Sequence, residues 1–208
     1  MPDSSIIQPK RPTWILYILL FLFAAPFAAS WWMYHYTELG RDGGAYSHGD
    51  LILPPRSIRE MTLYEPAAGM HERHLHGKWN LIYLAERDCD RKCEQRLYMM
   101  RQLWIASGRD SQRLQRVLMI VNAPDKDNLP AVPWVQRYPG QLVALINGVE
   151  TGTIVNTFTL GEDDRPLGAG RLYIVDPMGN LMMSYPAGTD PVGIIKDLKR
   201  LFKYSSIG

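Results

Sequence analysis

The sequence predicts an α/β domain, with a mixed central sheet flanked by helices, preceded by one N-terminal transmembrane helix. Three observations predict this class. A stretch of about 20 uncharged residues lies near the N-terminus. Short apolar runs typical of buried strands then alternate with helical patterns, which favours parallel strand pairing. A late strand–turn–strand pattern adds an antiparallel hairpin before a final helix.

The apolar segment Trp14 to Met33 is long enough to cross a hydrocarbon core of about 30 Å. Tryptophans lie near both of its ends, as in an aromatic belt, and membrane helices tolerate a proline such as Pro26. Lys10 and Arg11 precede it, so the positive-inside rule puts the N-terminus in the cytoplasm and the C-terminal domain across the membrane.

A cleaved signal peptide is the alternative interpretation, because Ala28-Ala29-Ser30 resembles a cleavage site. The full spanning length and the bulky Trp31-Trp32 pair favour retention. We therefore expect a cytoplasmic N-terminus at 1–13, an anchor at 14–36, a linker and entry segment at 37–58, and a folded domain at 59–208.

The first half of the domain alternates strands with one helix. The entry segment is rich in glycine and proline, with short strands expected at 51–53 and 59–64 and a polar turn at 71–77. Lys78 to Ala85 reads as a buried strand. Cys93 to Ser107 has apolar residues at helical spacing, and Gly108 is a candidate C-terminal cap.

The second half begins with another buried strand at 116–122 and continues through 133–159, for which we expect short helices and turns. A strand at 171–176, a turn and a return strand at 181–185 form the hairpin. Asp190 and Pro191 start the last helix. This order, βαβ followed by ββα, is the thioredoxin layout.

Charge and cysteine content narrow the function. A net charge of +2 argues against a nucleic-acid binder, which needs a dense basic face. The only two cysteines form Cys89-x-x-x-Cys93, just past the first buried strand. At a strand-to-helix turn two sulfurs can reach bonding distance, and the helix N-terminus stabilises a thiolate.

Three interpretations of this pair stay open. It is a redox couple, a Cu(I) site made of two soft thiolates, or a plain structural disulfide. A redox or Cu(I)-binding role is favoured over a structural disulfide. A disulfide that closes so short a loop removes little chain entropy from the unfolded state and so stabilises the fold only slightly.

With these residues in view, the chain resembles the Sco/SenC family of cytochrome oxidase assembly factors. The resemblance rests on the single anchor, the strand KWNLIYLA leading into Cys89 and Cys93, and the hairpin Tyr173 to Asn180 before a C-terminal helix. It implies a thioredoxin-like fold tethered to the bacterial inner membrane and facing the periplasm. It also implies that the cysteines act on copper or thiols for the oxidase, with oxidase subunits or assembly factors as partners.

One departure concerns the metal site. The family's copper ligands include a histidine just before the late strand, where this chain reads Arg165-Pro166-Leu167-Gly168-Ala169-Gly170. The only histidine cluster is His71, His74 and His76, which reads as a polar loop but is a weak alternative source of copper ligands.

The hypothesis is therefore a Sco-like thiol–disulfide oxidoreductase, with Cys89 as the attacking thiolate and Cys93 as the more buried resolving thiol. The alternatives are a Cu(I) carrier that uses the same cysteines, and a non-catalytic assembly scaffold with a structural disulfide.

Overall fold

The computed structural model describes residues 13–36, 47–87, 89–123, 126–131, 133–161 and 164–205. The chain divides into two compact units, Met1–Tyr46 and Ser47–Gly208. The predicted cytoplasmic segment 1–12 and most of the predicted linker, 37–46, lie outside the described residues.

The described residues of the first unit form one helix, α1 (Trp14–Tyr36), of 23 residues. At 1.5 Å per residue it is about 34 Å long. Its stretch Trp14–Met33 is long and apolar enough to cross a membrane, by length and composition, and none of it is buried. Large apolar side chains such as Leu20 and Phe21 are exposed all around the helix. The helix therefore has the dimensions of the predicted anchor.

The second unit contains eight strands and four helices among its described residues. The strands are β1 (Asp50–Ser57), β2 (Thr62–Glu65), β3 (His71–His74), β4 (Trp79–Glu86), β5 (Leu114–Val121), β6 (Gln141–Ile146), β7 (Leu172–Val175) and β8 (Asn180–Tyr185). The helices are α2 (Arg91–Ala106), α3 (Pro133–Arg137), α4 (Glu150–Phe158) and α5 (Pro191–Tyr204).

All eight strands form one mixed sheet with the order β1-β8-β7-β4-β5-β6-β2-β3. Strands β4, β5 and β6 are parallel, while β7 and β8 continue the sheet antiparallel on the other side of β4. The predicted combination of a parallel first half and an antiparallel hairpin is confirmed. The carboxyl ends of the three parallel strands share one edge of the sheet, and their amino ends share the opposite edge.

Apolar side chains cover both faces of the sheet. Along β4, Leu81 and Tyr83 belong to one core cluster, whereas Ile82 and Leu84 belong to the other. Helices α2 and α5 contribute residues to the first cluster, and α4 contributes to the second. Because β4 is buried on both faces, its sequence is a continuous apolar run rather than an alternating one.

Two element predictions were wrong. The predicted polar turn at 71–77 contains β3, whose four residues are all exposed and pair only with β2 at the sheet edge. Charged side chains are typical of edge strands. Because the residues of β3 are all polar, their sequence was interpreted as a turn. The predicted helices and turns between Gln141 and Thr159 include β6, a short apolar run that periodicity cannot distinguish from a buried helix.

Candidate redox site

The site begins where β4 leaves the sheet. The N–H of Arg87 still donates to the carbonyl of Val121 on β5 at 2.7 Å, and Arg87 has a positive φ of 54°. This left-handed conformation turns the chain out of the strand direction. Cys89 comes two residues after Arg87, and α2 starts at Arg91. The two sulfurs therefore lie at the carboxyl end of β4.

Asp90 caps the helix that carries the second cysteine. Its Oδ1 accepts a hydrogen bond from the N–H of Cys93 at 2.8 Å, and its carbonyl accepts from Glu94 N at 2.9 Å. Such a cap is worth about 1 kcal/mol. The cap uses the amide of Cys93 itself, so the helix N-terminus offers a Cys93 thiolate fewer free donors than the sequence implied.

Cys89 and Cys93 are joined by a disulfide, with their Cα atoms 5.1 Å apart. Cys93 is 1% exposed and belongs to the core cluster beneath α2, whereas Cys89 is only partly buried. An attacking group therefore reaches Cys89 more easily. This asymmetry is the one that the predicted roles of an attacking Cys89 and a resolving Cys93 require.

The first turn of α2 is fixed to the end of α3 and to the residue that follows it. Arg137 donates to Glu94 Oε2 at 2.7 Å, and the Tyr138 hydroxyl donates to the Glu94 carbonyl at 3.3 Å. The half-exposed ion pair contributes at most about 1 kcal/mol. Its main effect is to hold the helix start, and Cys93 with it, in one place.

A cavity of about 520 Å³ opens beside Cys93. Burial raises the pKa of Tyr83 in its wall, Asp90 raises it further, and Arg96 partly offsets both. Tyr83 is therefore a neutral hydroxyl at physiological pH. The cavity is lined by Tyr83, Ala85, Glu86, Arg87, Asp90, Lys92, Cys93, Leu167 and Gly168.

The loop before β7 forms the far wall of this cavity. Leu167 and Gly168 line it. A side chain built at Gly170 would meet Arg96 of α2 at 3.4 Å, so the loop also packs against the cysteine helix. The segment 164–170 thus lies beside the disulfide, and its residues at the cavity wall offer no imidazole.

The histidine cluster lies at the other end of the sheet. His71 and His74 are on β3, and His76 directly precedes β4. The eight residues of β4 separate His76 from Cys89 by about 25 Å at 3.3 Å per residue. Among the described residues, no group of three or more histidine, cysteine or carboxylate side chains is arranged to hold a metal ion. The structure does not bring His71, His74 or His76 to the cysteines.

The part of the chain that carries this site matches a known protein family. The family model described as "Transmembrane-like, thioredoxin-like, C-terminal domain" matches residues 79–205, more than half of the chain. The chain belongs to this family. The match begins at β4 and ends after α5, so the transmembrane-like, thioredoxin-like domain contains both cysteines, while β1, β2 and β3 lie outside it. A search of curated proteins finds no match.

Several solved structures with a similar fold are Sco proteins. A SCO1/SenC family lipoprotein from Bacillus anthracis superposes with a TM-score of 0.52 at 18% identity, covering 73% of this chain and 99% of its own. Arabidopsis thaliana ScoI with copper bound gives 0.51 at 18%, covering 70% and 98%. Yeast Sco1 with copper bound gives 0.51 at 20%, covering 73% and 91%. The predicted resemblance to Sco/SenC proteins is confirmed as a common fold.

Sequence reasoning found the cysteines of this transmembrane-like, thioredoxin-like protein but missed the groups around them. Tyr83 looked like one more apolar residue of a buried strand, and Arg137 and Tyr138 lie more than forty positions from Glu94. The capping role of Asp90 had a readable signal, because aspartate directly before a helix is a common N-cap. Long-range partners leave no such signal in one sequence.

Proposed function

We propose that this protein is a membrane-anchored thiol–disulfide oxidoreductase with a Sco-like fold, acting through Cys89 and Cys93 in the assembly of cytochrome c oxidase. One observation carries the proposal: a disulfide joins an accessible cysteine to a buried one at the carboxyl end of a central strand, beside an open cavity. The oxidase partner is proposed from the assembly role of the Sco family, to which one of the structures of this fold is assigned in its description.

In the proposed reaction the reduced cysteine pair transfers two electrons to a disulfide of the partner protein. In the reduced protein the Cys89 thiolate attacks a partner disulfide, forming a mixed disulfide and releasing one partner thiolate. The Cys93 thiolate then attacks the Cys89 sulfur, re-forms the Cys89–Cys93 bond and releases the second partner thiolate. The partner is reduced by two electrons and the pair is oxidised by two, so a thiol reductant must regenerate the pair.

We further propose the placement predicted from the sequence. Residues 1–13 are cytoplasmic, 14–36 span the bacterial inner membrane, 37–58 link and enter the domain, and 59–208 fold in the periplasm. The apolar length of α1 and the basic residues before it support this arrangement.

Cysteine variants of the full-length protein in neutral detergent test the exchange. With oxidised glutathione as the disulfide, the Cys93→Ser variant should accumulate glutathione on Cys89, because nothing resolves the mixed disulfide. The matched Cys89→Ser variant should react far more slowly, since Cys93 is 1% exposed. Mass spectrometry counts the adducts. Equal rates for the two variants, or no adduct in either, would contradict the proposal. Normal oxidase activity in cells carrying Cys89→Ser would contradict the assembly role.

Copper delivery is the second candidate function. With Cα atoms 5.1 Å apart, the two reduced sulfurs can bind one Cu(I), and thiolates are ligands that Cu(I) prefers. Structures of this fold from Arabidopsis and yeast are described with copper bound. Because Leu167 and Gly168 occupy the neighbouring wall, this site would have two thiolate ligands and no imidazole from that loop.

A Cu(I) titration of the reduced full-length protein distinguishes the two functions. A carrier binds one equivalent in competition with a colorimetric Cu(I) chelator and loses it in either single cysteine variant. Replacing His71, His74 and His76 together should leave the affinity unchanged, since they lie about 25 Å from Cys89. No uptake by the reduced wild-type protein would reject the carrier function and leave the exchange reaction in place.

A further inference from the structure

A second cavity, of about 630 Å³, lies at the edge of the sheet opposite the disulfide. It is formed where β4, β5 and β6 begin and where α2 ends. Lys78 precedes β4, Arg116 is near the start of β5, Gly140 precedes β6, and Arg101 and Trp104 are on the last turns of α2. We call it the basic cavity.

Cations outnumber anions in the wall of this cavity. Arg73, Lys78, Arg101 and Arg116 line it, and Glu65 is the only carboxylate among its lining residues. Arg73 pairs with Glu65 at 3.3 Å, so that pair is neutral. The described lining residues therefore carry three further positive charges, and none of the three has a carboxylate in an ion pair with it.

Arg116 is the most buried of these cations. Its residue is 4% exposed, its Nη2 donates to the Pro139 carbonyl at 2.7 Å, and its guanidinium lies over the Trp104 ring at 5.2 Å. Nη1 is buried and has no hydrogen-bond partner among the described residues. A buried, incompletely paired charge is costly, and almost all buried polar groups in proteins are paired.

The charge of Arg116 persists at neutral pH. Burial, and to a smaller extent Arg101, lower the pKa of Arg116 while Glu65 raises it, and together they bring it to about 10. Repulsion between Arg101 and Arg116 therefore adds to the cost of burial. An anion in the basic cavity would relieve both effects at once.

The local backbone makes room for this arrangement. Gly140 has a positive φ of 74°, and a Cβ at this position would lie 3.0 Å from Arg116 Nη2. Any larger residue would be strained in its backbone and would press on the guanidinium. The cation is thus held in place by a carbonyl, an aromatic ring and a glycine rather than by a carboxylate.

We propose that the basic cavity binds the phosphate group of a small molecule or lipid headgroup. Three uncompensated cations match a phosphate better than a carboxylate, which one cation neutralises. The cavity volume exceeds that of a phosphate alone, so it leaves room for the rest of such a ligand. The site is separate from the disulfide, because the length of β4 lies between them.

Phosphate titration of the full-length protein tests this site. Inorganic phosphate and glycerol 3-phosphate are titrated by calorimetry into protein held in phosphatidylcholine nanodiscs, at low ionic strength. Saturable binding is expected. Lys78→Gln and Arg101→Gln, at the more accessible wall positions, should each weaken it by about tenfold. Lys199→Gln removes the same charge from an exposed position on α5 and is the matched control.

The outcomes decide both the site and the source of the phosphate. Absence of saturable binding, or equal weakening by Lys78→Gln and Lys199→Gln, would overturn the proposal. If phosphatidylglycerol in the nanodisc competes with glycerol 3-phosphate, the ligand is a lipid headgroup. If it does not compete, the ligand is a free phosphorylated molecule. Arg116→Met is a further variant whose circular dichroism must match wild type, and its binding should be the weakest of all.

Discussion

Asp197 ties the start of the folded domain to its last helix, and its replacement should destabilise the domain more than most single changes. The residue is 3% exposed, on α5. Its Oδ2 accepts from the N–H of His48 at 2.7 Å, from the N–H of Gly49 at 3.3 Å and from the Tyr185 hydroxyl at 3.2 Å. Its Oδ1 lies 3.2 Å from His48 Nδ1.

The magnitude follows from these donors. Deleting a hydrogen bond to a charged acceptor costs about 1.5–3 kcal/mol, and such losses are less than additive when they share one acceptor. Asp197→Ala removes four, three of them from the partly exposed segment of His48 and Gly49. We expect about 4 kcal/mol of lost unfolding free energy, which lowers the melting temperature of a domain of this size by about 10 °C. Asp197→Asn keeps one oxygen acceptor but loses the charge and replaces the second oxygen by an amide donor, so it should cost about 2 kcal/mol.

Unfolding of the full-length protein in neutral detergent, followed by tryptophan fluorescence, measures the difference. Hydrogen exchange gives the local test: the amides of His48 and Gly49 should lose protection in Asp197→Ala, while those of β5 keep it. The reasoning would be refuted if Asp197→Ala lay within about 1 kcal/mol of wild type, or if Asp197→Asn were equally damaging.

Three further predictions concern packing, pH and the disulfide. Gly193→Ala should destabilise the domain by about 1–2 kcal/mol, because its Cβ would lie 2.6 Å from the His48 ring. Gly152→Ala, with open space around it, should instead be neutral or stabilising, and thermal melts compare the two. Burial raises the pKa of Tyr83, Tyr173 and Tyr185. The unfolded state then loses protons above pH 10 while the folded state keeps them, so stability falls as pH rises. By pH 11 the loss is about 1.4 kcal/mol for each of Tyr173 and Tyr185, which have the large shifts, and Tyr173→Phe should remove one such contribution in urea titrations. Replacing both cysteines by serine should cost about 2 kcal/mol, the chain entropy of so short a loop, and leave the fold intact by circular dichroism. A loss of fold in that double variant would favour the scaffold interpretation.

The central strands and the last helix could be predicted because local chemistry determines them. Lys78 to Ala85 is an apolar run in any context, and Asp190 followed by Pro191 marks a helix start that the structure confirms, with Asp190 accepting from Val192 N at 3.0 Å. β6 and β3 could not be predicted, because strand identity there depends on neighbours distant in the chain. β3 is a strand only because β2 pairs with it, Thr62 opposite His74.

The same distinction applies to the site. The cysteine pair could be read from its spacing, and the structure places it at the expected turn. The surroundings of the histidines could be determined only from the three-dimensional structure. Glu60 is bonded to the backbone N–H of Leu75 and lies 2.7 Å from His76 Nδ1, a carboxylate partner that the local sequence does not show. The charge of Arg116 could be counted, but its burial could not be foreseen.

The strand order has a consequence for the time course of synthesis. β1 emerges from the ribosome early but pairs with β8, and Asp50 lies opposite Ser184, about 130 positions later. β2 likewise waits for β6, where Tyr64 meets Val143. β1 therefore stays without its sheet partner until the last strand has emerged, whereas β2 pairs at once with β3 and needs only β6 to join the sheet. Interruption of synthesis shortly before the final hairpin would leave β1 with no strand to join.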